Sequence, residues 1–124
     1  MYIYENKNPK NKRTNDCVIR AIAKITGMPW EDVFIRLSNE ALLNWDLLDA
    51  NYVWIGWLKK HRFKMHQIPD SCPRCYTVRQ FCRDHPEGAY ILGTGTHAVA
   101  AIDGNYYDTF DSGDLVPIFY LKEG

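Results

Sequence analysis

Cys17 stands at the mouth of a stretch with helical spacing, Thr14-Asn15-Asp16-Cys17-Val18-Ile19-Arg20-Ala21-Ile22-Ala23. Far downstream, His97 opens Thr96-His97-Ala98-Val99-Ala100-Ala101-Ile102, and Asp108 ends the returning Asn105-Tyr106-Tyr107-Asp108. A thiol attacks a carbonyl only as thiolate, and a helix N-terminus and a nearby imidazolium both favour that anion. The free N–H groups of a helix start, including the Cys17 amide, also suit a tetrahedral oxyanion. Asn11 and Asn15 are side-chain donors for the same task. Asp16 is an awkward neighbour, because an adjacent carboxylate opposes the thiolate unless it turns away. A lone cysteine in an amphipathic helix is ordinarily core packing. Here a base and a carboxylate that can orient it accompany the cysteine, as a nucleophile requires.

The hairpin after His97 must return that carboxylate, and its register decides which one. A two-residue Asp103-Gly104 turn pairs Ile102 with Asn105 and sets Val99 opposite Asp108. Asp108 then shares the His97 face on the diagonal, about 7 Å away or less at Cβ. A three-residue loop from Asp103 to Asn105 instead brings Asp111 opposite His97. The two-residue turn is preferred, because Asp-Gly between apolar strands is a strong hairpin signal. Small neighbours of His97 (Gly95, Ala98, Ala100) leave room for a helix against this strand.

The elements that must position these groups follow from periodicity. Val18, Ala21, Ile22 and Ile25 predict a helix over Asn15–Thr26, capped by Thr14 or Asn15 and ended by Gly27. Pro29 suits the first turn of a second helix bearing Trp30, Val33, Phe34, Leu37 and Ala41. A third lies within Asp49–His61, and Phe63–Ile68 alternates as a short strand. Thr77 caps a short helix to His85. Beyond Gly88 the period becomes two, with strands at Tyr90–Leu92, Thr96–Ile102, Asn105–Phe110 and Val116–Leu121. The expected class is α+β: N-terminal helices, the Cys17 helix first, packed on a C-terminal antiparallel β-sheet. One domain covers residues 1–124. Within it, residues 1–13 read as a loosely ordered arm, with the basic run Lys7 to Arg13 solvated among Asn and Pro.

Asn15-Asp16-Cys17 opening a helix, Thr96-His97-Ala98-Val99 on a later strand and Asp108 after it resemble the papain-like cysteine peptidase superfamily. The likeness is nearer its compact bacterial and phage members than papain itself, and it covers most of the chain in element order. It implies a papain-like fold and thiol acyl transfer, with Cys17 as nucleophile, His97 as base and Asp108 as orienter. Papain-like enzymes often place a Gln several residues before the cysteine as an oxyanion donor. This chain has no Gln upstream of Cys17 and has Asn11 there instead. The superfamily includes peptidases, amidases, deamidases, acyltransferases and members that have lost activity, and the fold does not choose among them.

Other constellations compete. Cys72-x2-Cys75 followed by Cys82-x2-His85 has the ligand types of a zinc site. Only six residues separate Cys75 from Cys82, and Cys82 is equally a core thiol beside Phe81. Cys72-Pro73-Arg74-Cys75 as a redox pair is weaker still, because no strand leads into it and no helix starts at its first cysteine. Trp54 and Trp57 are candidates to line a substrate cleft, although helical spacing makes most tryptophans here core residues.

Composition bounds the rest. The 124 residues carry no formal net charge, so no global basic field draws the protein to nucleic acid. No apolar run approaches the ~20 residues of a membrane span. The polar N-terminus lacks the apolar core of a secretory signal. A cytoplasmic location is therefore expected, with Cys17, Cys72, Cys75 and Cys82 as free thiols. The expected function is a hydrolase or acyltransferase using a Cys-His-Asp triad on an amide or isopeptide bond. It needs no cofactor, and its partner is a peptide or protein substrate. The alternative is a non-catalytic protein-binding module on the same fold.

Overall fold

Alternation along a strand sends successive side chains to opposite faces, and in Tyr90–Leu92 and Ala98–Ala101 every position is apolar. Such strands need cover on both sides. The computed structural model describes residues 1–124 and provides that cover. In chain order the elements are β1 (Tyr2–Tyr4), α1 (Cys17–Thr26), α2 (Trp30–Asn44), α3 (Asn51–Lys60) and β2 (Phe63–Gln67). Then come α4 (Val78–Asp84), β3 (Ala89–Gly93), β4 (Ala98–Ile102), β5 (Asn105–Asp108) and β6 (Phe119–Glu123). The class is α+β.

Against one face, α1, α2 and α3 bury Ile22, Val33, Leu37, Val53, Trp54 and Leu58 with Ile91, Ala98, Ala100, Phe119 and Leu121. Against the other, α4 buries Val78, Phe81 and Cys82 with Tyr90, Leu92, Val99, Ala101 and Tyr106. The alanines of β4 let α1 approach this strand closely, which sets Cys17 near the start of β4. Gly27 ends α1 in the left-handed conformation, φ 75°, with its N–H bonded to the Ala23 carbonyl. Thr77 opens α4 through a capping box with Gln80.

The sheet runs β1-β5-β4-β3-β6-β2, and it corrects two expectations. It is mixed rather than antiparallel, because β1 pairs parallel with β5, Tyr2 beside Tyr106 and Tyr4 beside Asp108. It is also not wholly C-terminal, because β2 closes the far edge on β6. Residues 1–13 are therefore not a loose arm. Beyond β1, asparagine side chains tie the segment down: Asn8 Oδ1 accepts from the Lys10 and Lys12 amides, and Asn6 Nδ2 donates to the Lys12 carbonyl. The basic side chains of this segment do face solvent. No helix is long and apolar enough to cross a membrane.

Candidate active site

Hairpin register places the first pair of groups. Ile102 pairs with Asn105 and Ala100 with Tyr107 across the two-residue Asp103-Gly104 turn, in which both residues take positive φ, 50° and 82°. That register leaves Asp108 on the His97 diagonal. His97 Nε2 lies 2.6 Å from Asp108 Oδ2. A carboxylate there accepts, so Nε2 carries the proton and Nδ1 is the nitrogen left for the thiol. Asp111 goes elsewhere: it accepts from the Tyr106 hydroxyl at 2.5 Å and from the Gly113 amide.

Cys17 is the first residue of α1 and is half-buried. The amides of Cys17, Val18 and Ile19 have no hydrogen-bond acceptor, and the first bond of the helix runs from Arg20 N–H to the Asp16 carbonyl. Neither Thr14 nor Asn15 caps the helix. Free amides and the helix dipole at the start of α1 favour a nearby anion. Burial opposes the thiolate, but the neighbouring His97 ring, the Ala98 backbone N–H and the Arg20 charge outweigh it, and the thiol is held below its ordinary range. Burial likewise disfavours the imidazolium, yet Asp108 and Cys17 raise His97 to about 9. Asp108 itself is depressed despite burial, by His97 and then Arg20. Both shifts favour a thiolate beside an imidazolium over a neutral thiol beside a neutral imidazole.

Sequence reasoning left Asp16 as a difficulty and gave Arg20 no part. The structure turns the Asp16 carboxylate away from Cys17 and buries it. Its Oδ1 accepts from Arg20 Nε at 2.8 Å and its Oδ2 from Trp30 Nε1 at 3.0 Å. Arg20 Nη1 also donates to Asp108 Oδ1 at 2.9 Å, and the Thr109 amide bonds the same oxygen at 2.8 Å. The helical spacing of Asp16 and Arg20 was visible in the sequence, but their long-range partners were not.

Cys17, His97 and Asn15 line an open cleft of about 410 Å³, with Thr14, Arg20, Asp49, Thr96, Thr109 and Phe110. Behind the thiol, a smaller recess of about 70 Å³ includes Asn51 and Trp54. The Asn51 side chain joins the Gly95 carbonyl to Trp54 Nε1, at 3.0 and 3.1 Å. A third hollow, with Trp30, Phe34, Leu47 and Leu48, shares Thr14, Asn15 and Asp49 with the main cleft. Asn11 lines none of these. It sits exposed in a turn at φ 52°, its N–H bonded to the Asn8 carbonyl. Trp57 is also absent, because it is buried in the core and stacks on His61 at 4.2 Å.

The zinc constellation does not assemble. Cys72 and Cys75 form a disulfide, which also corrects their expected free-thiol state. Cys82 lies in the α4 core, and His85 Nδ1 approaches the Phe81 carbonyl at 2.8 Å. No three His, Cys, Asp or Glu side chains come together as metal ligands. No family model, curated protein or solved structure matches this chain.

Proposed function

We propose that this protein is a thiol hydrolase or acyltransferase acting on an amide or isopeptide bond in a peptide or protein, through Cys17, His97 and Asp108. The papain-like resemblance in element order agrees with it. The observation that carries the proposal is His97 spanning the gap between a helix-mouth cysteine and a buried carboxylate, at the wall of an open cleft. In the first step the Cys17 thiolate attacks the carbonyl carbon, and the carbonyl π electrons move to oxygen. The Cys17 amide is the nearest free donor for that oxyanion. His97 then gives its Nδ1 proton to the leaving amine as the C–N bond breaks, which leaves a thioester on Cys17. Water, or an acceptor amine, loses a proton to His97 as it attacks the thioester, and the thiolate is released. Asp108 holds the ring tautomer throughout. The apolar hollow bordering the cleft supports a substrate with a bulky apolar group.

Cys17→Ala and His97→Ala should each abolish turnover of a diverse peptide library followed by mass spectrometry. Asp108→Asn should retain residual activity, lowered by roughly 10²- to 10⁴-fold. Cleavage that survives Cys17→Ala would refute the assignment. A second possibility, a protein-binding module, is favoured by exposed apolar side chains at the end of α2 and just beyond: Leu42, Leu43, Trp45 and Leu47. Iodoacetamide at pH 6 separates the two. An activated Cys17 is alkylated faster than a free model thiol, and His97→Ala removes the advantage. A binder shows neither effect.

A further inference from the structure

Asp16, Arg20 and Asp108 form a continuous buried ion path beside the nucleophile. The side chains of Asp16 and Asp108 are 4% and 1% exposed, and that of Arg20 is 10% exposed. Two carboxylates in such a setting are costly unless a cation sits between them. The guanidinium supplies it, with Nε on Asp16 and Nη1 on Asp108. Only a planar fork reaches two acceptors this way from one side chain. Arg20 also lies three residues after Cys17 on α1, which puts it on the same side of the helix as the sulfur.

We propose that Arg20 is a positioning residue for the nucleophile, neutralising the carboxylate next to Cys17 and holding one oxygen of Asp108 so that the other is left to His97. Arg20 acts through Asp16 and Asp108, and it touches no reacting atom. The inference rests on Cys17 working as a thiolate. The charged groups around the sulfur are Arg20 on α1, His97 at the head of β4 and Asp49 before α3, with Asp16 and Asp108 behind them as the partners of Arg20 and His97. Without Arg20, Asp16 and one oxygen of Asp108 lose their cation close to a developing anion. Like charges then disfavour the thiolate.

The test is the pH dependence of Cys17 alkylation by iodoacetamide, read on the Cys17 peptide by mass spectrometry, which needs no substrate. In the unsubstituted protein the midpoint lies below that of an ordinary thiol, about 8.5. Arg20→Gln should move it upward by about 0.5 to 1 pH unit. Adding Asp16→Asn to that variant should bring it back towards the starting value, because the pair's charge is again balanced. Arg20→Lys, which keeps the charge, should shift it less than Arg20→Gln. If Arg20→Gln fails to fold, Asp16→Asn alone still decides the matter: removing the nearby negative charge should lower the midpoint. A depressed midpoint that none of these variants moves overturns the role of Arg20 and leaves the thiolate intact. A midpoint at the ordinary thiol value in the unsubstituted protein overturns the thiolate itself.

Discussion

If Cys17 and His97 act as a pair, the whereabouts of their one proton dictates the pH behaviour of the site. The thiol is depressed and the imidazolium raised to about 9, so between the two transitions the pair is thiolate and imidazolium. Two interacting groups titrate as a unit, and the apparent values belong to the pair. The profile of kcat/KM should therefore be a bell. Its acid limb follows loss of the thiolate, below the ordinary thiol range. Its alkaline limb follows loss of the imidazolium, near pH 9. Asp108→Asn should pull the alkaline limb down, because the main favourable partner of the imidazolium is gone. A rate that instead rises once through pH 6.5 with no alkaline fall would mean neutral imidazole acting on a neutral thiol. At this scale the sequence was informative where chemistry is local. Asp-Gly announced the turn, and the turn selected Asp108 over Asp111. It was silent on the Arg20–Asp108 contact, whose partners are 88 residues apart, and on Asn51, whose bond to Gly95 depends on α3 docking.

Elements deliver these groups only if the sheet beneath α1 keeps its spacing. At Gly93 on β3, an added Cβ would lie 2.1 Å from the ring of Phe119, the residue paired with it on β6. Phe119 belongs to the core that supports α1. Gly93→Ala must therefore displace the ring or the strand, a form of overpacking that costs about 1–3 kcal/mol. Denaturant unfolding should show a lower midpoint with an unchanged slope. An unaffected midpoint would mean the ring swings aside freely. α1 and α4 were legible because an apolar stripe meets a boundary signal in each: Gly27 at the end of α1, and Thr77 at the start of α4. β1 was not legible. Three residues hold no usable period, and its partner β5 lies a hundred residues away in the chain. Nothing local tells a short Tyr-Ile-Tyr segment that it will find a parallel edge. The disulfide at Cys72–Cys75 was missed for a different reason, since an expected reducing compartment outweighed the proximity of the two residues.

For the whole molecule, the two cores hold the sheet between them, and Cys17, His97 and Asp108 sit at one end of its middle strands, so their protonation is linked to folding. Each group whose pKa shifts on folding makes stability depend on pH. His97 is raised above its unfolded value of 6.5, so its stabilisation is complete below pH 6.5 and fades as pH rises through about 9. Cys17 is lowered from 9.0, so its stabilisation is complete above pH 9 and fades as pH falls through its folded value. Where the pH lies above both 6.5 and the folded value of Cys17, and below about 9, the folded pair keeps one proton on His97, while the unfolded chain keeps one on Cys17. The two contributions therefore offset each other, and the pair adds almost no slope to stability there. Cys17→Ala removes one half of this balance. Asp108 still favours the imidazolium, so stability in this variant should decline from pH 6.5 towards 9 while the unsubstituted protein stays comparatively level. Thermal unfolding of both proteins at pH 6, 7, 8 and 9 checks this, with the difference in Tm widening as pH rises. A constant difference would mean that the shared proton is not held between Cys17 and His97. Asp108 adds the acid side: because it is depressed, its stabilisation is complete above its unfolded value of 3.8 and is lost as pH falls through the folded one. The same His97–Asp108 contact thus bears on both ends of the stability profile, and its alkaline half emerges only once the thiol is removed.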